Sequence, residues 1–388
     1  MSSDSNSSQL VAVGKPAQSK PLLGLNLSEL AAVVETAGQP EFRARQIFHA
    51  LYQQRVESLD AVTTLPAELR RHLADQGITV GLPRIEKKFD STDGTVRFLM
   101  AFADGQSVET VWMPEGDGGE AGDGSEEEVD AAPALQATTG NRPWDRATIC
   151  VSSQVGCAVD CQFCLTAQLG LKRNLSAGEI VGQVCAVLNA HKVSPPQDRV
   201  NLVFMGMGEP FLNYDNFIKA VRLLVEGVGI PESRMTVSTA GIVPRIADLG
   251  AEPVRPKLAI SLNASNDEVR SRIMPINRKW NLAALTEAAR AFPLRKREKL
   301  TFEYVLLGGV NDSLEHAREL IALVQGIRAK VNLIAWNPGP GVEFVTPNES
   351  QVLAFQQKLI AAGVPAFIRR PRGRDIFAAC GQLKRTVA

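Results

Sequence analysis

Residues 147–164, "ATICVSSQVGCAVDCQFC", join a short apolar run to a loop, and together they hold four of the six cysteines in this 388-residue chain. Cys157, Cys161 and Cys164 follow a C-x3-C-x2-C spacing, and Cys150 closes the apolar run. A structural zinc site commonly has four ligands in two pairs. Three thiolates can instead hold a cubic iron–sulfur cluster and leave one iron open to a ligand. The spacing favours a cluster-binding loop after a strand, with zinc as the alternative.

Beyond this loop, apolar strand-like runs alternate with helical patterns. "ATICVSS" is followed by five more such runs, "VNLVFMG", "RMTVST", "KLAISL", "LTFEYVL" and "KVNLIAW". Helices are predicted near 177–191, 214–226, 241–249, 281–292, 313–328 and 349–362. Six βα units require a parallel sheet, and no glycine-rich dinucleotide turn follows the first strand. We therefore predict an α/β fold, an open partial (β/α)6 barrel over residues 144–375, with its chemistry at the carboxyl ends of the strands.

The rest of the chain divides into five predicted segments. Residues 1–25 are Ser-rich and are predicted to form a disordered tail. Residues 26–80 carry three helical patterns, and residues 81–114 alternate apolar and polar residues around Asp-Gly turns, which predicts a short β meander. Residues 115–143 are predicted to be a flexible insert, since eight acids and no base lie between Glu115 and Asp130. A C-terminal segment, 376–388, carries Cys380.

The charge of the chain is unevenly placed. The 42 basic and 42 acidic residues cancel formally, but the acidic insert leaves the remainder net positive. Basic clusters occur in the helical module, at Lys172 and Arg173, in "LRKREK" from Leu294 and in "RRPRGR" from Arg369. Such clusters suit a nucleic-acid partner. No run is typical of a membrane span or a secretion signal, so we expect a cytoplasmic protein with reduced cysteines and no membrane partner.

A set of longer motifs occurs in one order along the chain and carries a family resemblance. The motifs of the barrel segment are "CVSSQVGCAVDCQFCLTAQLGLKRNL", "VFMGMGEPFLNYDN", "VSTAGIVPRI", "PINRKWNL", "GVNDS" and "WNPGPG". With "PEFRARQIF", "VETVWMPE" and "RRPRGRDIFAACGQL", they resemble the bacterial dual-specificity 23S rRNA and tRNA adenine-C2 radical S-adenosylmethionine methyltransferases. The resemblance covers nearly everything except the N-terminal tail and the acidic insert.

The resemblance implies a set of cofactors and partners. A [4Fe-4S] cluster would be held by Cys157, Cys161 and Cys164, and two S-adenosylmethionine molecules would be used per turnover. The substrates would be 23S rRNA and tRNA, with residues 26–80 as an RNA-binding module. An electron donor such as flavodoxin would feed the cluster, and we expect a monomer.

The same resemblance implies a route for the methyl group. Adenine C2 is electron-poor and cannot attack a methyl sulfonium directly. Instead, Cys380 is methylated first, and a 5′-deoxyadenosyl radical then takes hydrogen from this S-methyl group. The carbon radical adds to C2, Glu109 acts as general base, and Cys150 attacks the sulfur of Cys380 to release the methylated base.

Seven residues match the cofactor contacts of the family. Gly208 and Glu209 would receive the methionine amino group, since an ammonium needs acceptors. The other matching positions are Ser238, Ser261, Leu262, Asn263 and Asn337. Two residues depart from the family pattern, because histidine is usual at position 263 and a small residue is commoner at position 165.

Two rival functions remain open. The related adenine-C8 methyltransferase of ribosomal antibiotic resistance shares the cysteines and the mechanism. A non-enzymatic iron–sulfur RNA-binding protein would have no use for Cys150 and Cys380. Taken singly, each of these cysteines is also compatible with a packing or incidental role, and Glu109 with a solvent-facing strand position.

Overall fold

The computed structural model describes residues 19–115, 144 and 146–383. The N-terminal part of the described chain forms the predicted helical module. It consists of β1 (Lys20–Pro21), α1 (Leu27–Thr36), α2 (Phe42–His49), α3 (Ala67–Asp75) and β2 (Ile78–Thr79). Strand β1 pairs with β2 in parallel, and Leu22 and Leu23 are buried in the core. The predicted tail of residues 1–25 is therefore too long, because residues 19–25 pack with the module. Residues 1–18 lie outside the described residues.

The predicted meander is part of the main sheet. Its strands β3 (Arg84–Asp90), β4 (Val96–Ala101) and β5 (Ser107–Glu115) are antiparallel, and β5 pairs antiparallel with β6 (Arg146–Cys150). A small hairpin of β7 (Gln154–Val155) and β8 (Arg173–Asn174) follows. The parallel strands that continue from β6 are β9 (Val200–Phe204), β10 (Met235–Thr239), β11 (Lys257–Ser261), β12 (Leu300–Leu306), β13 (Ala329–Ala335) and β14 (Ala366–Arg369). The ten strands lie in the order β3-β4-β5-β6-β9-β10-β11-β12-β13-β14.

Helices connect the parallel strands. They are α4 (Ala177–His191), α5 (Tyr214–Leu223), α6 (Val243–Ala251), α7 (Asp267–Ile273), α8 (Leu282–Ala291), α9 (Leu314–Val324) and α10 (Glu349–Ala361). The predicted βα alternation and open fold class are confirmed, whereas α7 and β14 were not predicted, since each is too short to show a clear period. Among the described helices, none combines the length and apolarity that a membrane span requires.

The inner face of the sheet becomes polar toward the carboxyl ends of the strands. Ser261 lies opposite Glu303 in the β11–β12 register, and Ser238 lies at the corresponding end of β10. Their strand neighbours Val237 and Ile260 point to the other face and are fully buried. Because successive side chains alternate between faces, this pattern directs the polar groups into the barrel.

The two ends of the acidic insert lie side by side, because Glu115 is paired directly with Arg146. Replacing residues 116–143 by a short Asn-Gly turn should therefore leave iron content and thermal unfolding unchanged, although the insert itself lies outside the described residues. RNA should bind several-fold more tightly at low salt, because a polyanion would no longer face these carboxylates. A control variant should keep the length and exchange the acids for Gln and Asn. Loss of iron in the shortened variant would contradict the prediction that the insert is not part of the fold. Weaker RNA binding in either variant would contradict the prediction that its acidic residues repel RNA.

Candidate active site

The cysteine loop leaves the sheet at the end of β6 and is closed at its base by the β7–β8 hairpin. Gly156 adopts a φ of 79°, and a side chain there would collide with the carbonyl oxygen of Gly170. Farther along the loop, Trp336 donates its indole N–H to the carbonyl oxygen of Phe163 at 3.1 Å. The loop is therefore fixed both to its own base and to the residues that follow β13.

Cys157, Cys161 and Cys164 are half-buried free thiols that line one cavity of about 160 Å³. Burial raises the pKa of Cys157 to about 12 and holds that of Cys161 well above its ordinary range. Negative charge on the neighbouring thiols adds to both shifts, so the three groups lie close enough to act on one another. No group of three ligating side chains in the described residues is arranged to hold a single metal ion. Three converging thiols fit the donor set of a cubic cluster.

Gly208 and Glu209 lie in the same cavity, directly after β9. The two carboxylate oxygens of Glu209 accept the backbone N–H groups of Phe211 at 3.0 Å and Ala240 at 2.6 Å. Burial nevertheless raises the pKa of Glu209 to about 7. Gly208 has a φ of 99°, and a side chain there would collide with Gln154. The carboxylate is thus held rigidly where an ammonium group would offset the cost of its burial.

The cavity brings together six of the seven predicted cofactor residues, namely Gly208, Glu209, Ser238, Ser261, Asn263 and Asn337. The amide oxygen of Asn337 is buried and accepts no hydrogen bond within the described part of the chain. An unpaired buried acceptor facing a cavity suits a bound polar ligand. Leu262 is fully buried and is not among the lining residues, since its carbonyl accepts from Arg270 Nε at 2.9 Å.

Asn263 has mainly a structural role in this cavity. Its φ of 58° lies in the left-handed region, which asparagine tolerates better than most residues. Its side-chain oxygen accepts from the Val305 backbone N–H at 2.8 Å, and its carbonyl accepts from Asn311 Nδ2 at 2.7 Å. Both oxygen atoms of Asn263 therefore already accept hydrogen bonds within the protein, which leaves few groups for the predicted contact with the cofactor.

The C-terminal segment is bonded directly to the cysteine loop. Leu165 N donates to the carbonyl oxygen of Gly381 at 2.8 Å, and Thr166 Oγ1 donates to that of Leu383 at 2.7 Å. The Leu165 side chain is buried against Gly339, where the missing side chain leaves room for it. Cys380 is thereby brought to the cavity that the three loop cysteines line, where it remains exposed.

Cys150 is the last residue of β6, is nearly buried, and lies opposite Val111 on β5. Glu109 is two residues before Val111 and so shares this face of the sheet with Cys150 as its diagonal neighbour on the adjacent strand. Burial raises the pKa of Cys150 above its ordinary range, and the charge of Cys380 adds to the shift. The sheet therefore places Glu109 beside Cys150, and Cys150 lies close enough to Cys380 for their charges to interact.

Glu109 is fully buried and forms an ion pair with the equally buried Arg97 of β4. The Arg97 guanidinium also lies 4.0 Å from the centre of the Phe89 ring. The solvent-facing alternative for Glu109 is therefore wrong. Its carboxylate is not among the cavity-lining groups, and it is engaged by Arg97 on the same face of the sheet.

Glu303 was missed by the sequence analysis although it lines the cavity. Its Oε2 atom accepts from Ser238 Oγ at 2.8 Å and from Ser261 Oγ at 3.5 Å. Strands buried in a parallel sheet are usually continuous apolar runs, so the single acid inside "LTFEYVL" was the available signal.

The pKa of Glu209 predicts a pH dependence of cofactor binding. Above about pH 7 the carboxylate is charged and attracts an ammonium group, and below it the neutral acid does not. The dissociation constant of S-adenosylmethionine should therefore rise by up to about tenfold per pH unit below this value. Equilibrium dialysis of anaerobically reconstituted protein between about pH 5.5 and 8.5 would measure it. Glu209→Gln should bind weakly with a flat profile, and an equally steep profile in this variant would refute the assignment.

Comparisons with known proteins agree with this site. Residues 151–321 match the Radical SAM superfamily, and residues 20–78 match the ribosomal RNA large subunit methyltransferase N-terminal domain. A probable dual-specificity RNA methyltransferase RlmN from Koribacter versatilis is 66% identical over 91% of this chain and 98% of its own length. The dual-specificity RNA methyltransferase RlmN of Campylobacter jejuni strain RM1221 is 44% identical over 89% of this chain and 93% of its own.

A solved structure shows the same fold. The crystal structure of a radical SAM methyltransferase from Sphaerobacter thermophilus is 41% identical, covers 94% of this chain and 99% of its own, and superposes with a TM-score of 0.82. The resemblance predicted from the motifs is thereby confirmed along nearly the whole chain, in both the helical module and the barrel. The chain belongs to the family of RlmN-type dual-specificity RNA methyltransferases of the radical SAM superfamily.

Proposed function

We propose that this radical SAM RNA methyltransferase methylates C2 of a specific adenine in 23S rRNA and in tRNA through an S-methylcysteine at Cys380. The observation that carries the proposal is the position of Cys380, which lines the same cavity as Cys157, Cys161 and Cys164. A methyl carrier has to meet both the cofactor and the RNA base. Cys380 is an exposed residue whose thiol is desolvated against this cavity, so it meets this requirement.

The cavity residues divide between cluster and cofactor. The three loop cysteines would hold the [4Fe-4S] cluster, which supplies the electron that cleaves bound S-adenosylmethionine. Gly208 and Glu209 would take the amino group of its methionine part, and Asn337 offers a buried amide to its polar atoms. Ser238 and Ser261 would contact its nucleoside.

Glu109 and Cys150 would complete the reaction after the methylene carbon has joined the base. Glu109 would accept the proton lost from C2, and the unpaired electron of the adduct would pass to the cluster held by the three loop cysteines. The ion pair with Arg97 orients the carboxylate. Cys150 then attacks the sulfur of Cys380, so that a disulfide forms as the C–S bond to the methylated base breaks. Their shared sheet face supports this pairing of roles, since Glu109 on β5 is a diagonal neighbour of Cys150 on β6, and Cys150 in turn lies close enough to Cys380 for their charges to interact.

The basic clusters do not contribute equally to an RNA surface. "RRPRGR", residues 369–374, begins with the last residue of β14 at the cavity end of the sheet, and its Arg372 donates to the carbonyl oxygen of Pro114 and lies 3.8 Å from Asp93. Arg173 is engaged with Asp104 at 2.6 Å and Glu179 at 2.8 Å, which reduces its capacity for phosphate. "LRKREK", residues 294–299, precedes β12 and so lies at the opposite end of the parallel strands. We therefore assign the contact with RNA to residues 369–374 and the helical module. Residues 294–299 are not assigned to the RNA surface.

The target adenine has to leave its base stack to reach the cavity, and an adenine in a loop is the least costly to extrude. The free thiols that the reaction needs suit a reducing cytoplasm. A flavodoxin-like protein would serve as electron donor, and the enzyme would act as a monomer.

The product distinguishes this function from its nearest rival. Anaerobically reconstituted protein should transfer a labelled methyl group to 23S rRNA fragments and to tRNA, and nuclease digestion with mass spectrometry should identify 2-methyladenosine. A product of 8-methyladenosine would instead establish the C8 reaction. Methylation of only one of the two RNAs would remove the dual specificity.

A further inference from the structure

Glu303 combines three properties that the roles assigned so far do not use. It lines the cavity together with Cys380. The hydroxyl groups of Ser238 and Ser261 both turn toward its Oε2 atom and so fix the carboxylate in one orientation. Its Oε1 atom takes part in no hydrogen bond within the described part of the chain, so one oxygen is oriented and still available.

The other carboxylates of the site lack this combination. Glu209 lines the cavity, but its two oxygens are both engaged by backbone N–H groups. Glu109 is engaged by Arg97 and is not a lining residue. Among the described residues, Glu303 is therefore the lining carboxylate with an oxygen open to a new partner.

The loading of Cys380 requires such a partner. A cysteine thiol is mostly protonated at neutral pH, whereas the thiolate is the nucleophile. Burial raises the pKa of Cys380 to about 11, and the negative charge of Glu303 adds to the rise. Arg369 acts in the opposite direction, and the thiols of Cys164 and Cys150 are the other titratable neighbours. The thiol therefore carries a proton that has to leave as the methyl group arrives.

We propose that Glu303 is the general base that removes the thiol proton of Cys380 when this cysteine receives its methyl group. The inference rests on the proposed function, since it concerns the first of its two methyl transfers. A bond forms between Cys380 Sγ and the methyl carbon, and the methyl–sulfonium bond breaks, leaving its electron pair on the sulfur of S-adenosylhomocysteine. The thiol proton passes to Oε1 of Glu303. Nothing is oxidised or reduced in this step.

The assignment separates two bases that act at different stages. Glu303 serves the loading of Cys380, whereas Glu109 serves the later removal of the C2 proton. Loss of Glu303 should therefore be visible in the protein itself before any RNA is added. That readout does not depend on completed turnover.

The test follows methylation of the protein in a single turnover. Protein with unmethylated Cys380 is reconstituted anaerobically and given saturating S-adenosylmethionine without RNA, and S-methylcysteine at Cys380 is measured by peptide mass spectrometry over time. Glu303→Gln should load about 100-fold more slowly or worse, the usual range for a lost general base. Its iron content and cofactor dissociation constant should match the wild type. Adding formate to Glu303→Ala should restore part of the rate, since formate supplies the missing carboxylate.

A matched control removes the hydroxyl groups and keeps the carboxylate. Because Ser238 and Ser261 are also assigned to the nucleoside of the cofactor, Ser238→Ala combined with Ser261→Ala is compared at saturating S-adenosylmethionine, where it should load faster than Glu303→Gln. If Glu303→Gln does not retain iron, Glu303→Asp replaces it in the comparison with the wild type. Cys380 should then be methylated more slowly while the cofactor dissociation constant stays unchanged.

Distinct results would overturn the inference. Wild-type loading rates in Glu303→Gln, or in Glu303→Asp where that variant is used, would remove Glu303 from the step. A defect explained entirely by weaker cofactor binding would make Glu303 a cofactor ligand instead. If wild-type Cys380 itself gains no methyl group while RNA is still methylated, the S-methylcysteine route fails and this inference fails with it.

Discussion

Cys150→Ala protein is expected to accumulate a covalent protein–RNA crosslink, whereas Cys380→Ala should form none. Cys380 carries the methyl group, so without it no thioether exists to become the carbon radical. Cys150 acts only after the radical has joined the base, so its loss leaves loading and addition intact. The adduct then lacks the thiolate that breaks its C–S bond.

The measurement is a denaturing gel of each variant incubated anaerobically with cofactor, reductant and labelled RNA. Cys150→Ala should shift a large fraction of the RNA, and both variants should release essentially no methylated adenosine. Cys185→Ala is the matched control, since Cys185 is a fully buried cysteine of α4 outside the cavity, and it should turn over normally. Normal turnover by Cys150→Ala, or a crosslink with Cys380→Ala, would disprove the division of roles.

Replacing Cys157, Cys161 or Cys164 with Ala should reduce the bound iron to background and abolish all radical chemistry. Each residue supplies one of the three thiolates, and two are too few to hold a cluster whose fourth iron stays open. Iron and sulfide analysis after anaerobic reconstitution would measure the loss. The double variant Cys161→Ala, Cys150→Ala should also lose the crosslink. Cys185→Ala should load iron fully, and full loading in all three loop variants would rule out the assigned ligands.

The sequence predicted the parallel part of the fold because its signals are local. Each strand is a short apolar run, each motif follows such a run directly, and the carboxyl ends of parallel strands lie at one edge. That rule predicted that the motifs with Glu209, Ser238, Ser261 and Asn337 share one edge of the sheet, and the family resemblance assigned these residues to the cofactor. The cysteine spacing predicted the cluster for the same reason, since its three donors lie within one loop.

The parts that were not predicted depend on contacts between distant positions. Nothing local indicates that β5 pairs with β6 across residues 116–145, yet this pairing aligns Glu109 with Cys150. The ion pair of Arg97 with Glu109 depends on the register between β4 and β5. Hydrophobic periodicity describes which residues are buried, and it does not describe which buried polar groups meet.

The hydrogen bonds from Leu165 and Thr166 to Gly381 and Leu383 also couple two segments that lie more than 200 residues apart in the sequence. Each segment supplies one side of these bonds, so displacement of either one removes partners from the other. The cluster loop and the methyl acceptor therefore order or loosen as one unit. A change that disorders the loop should also release Cys380 from the cavity.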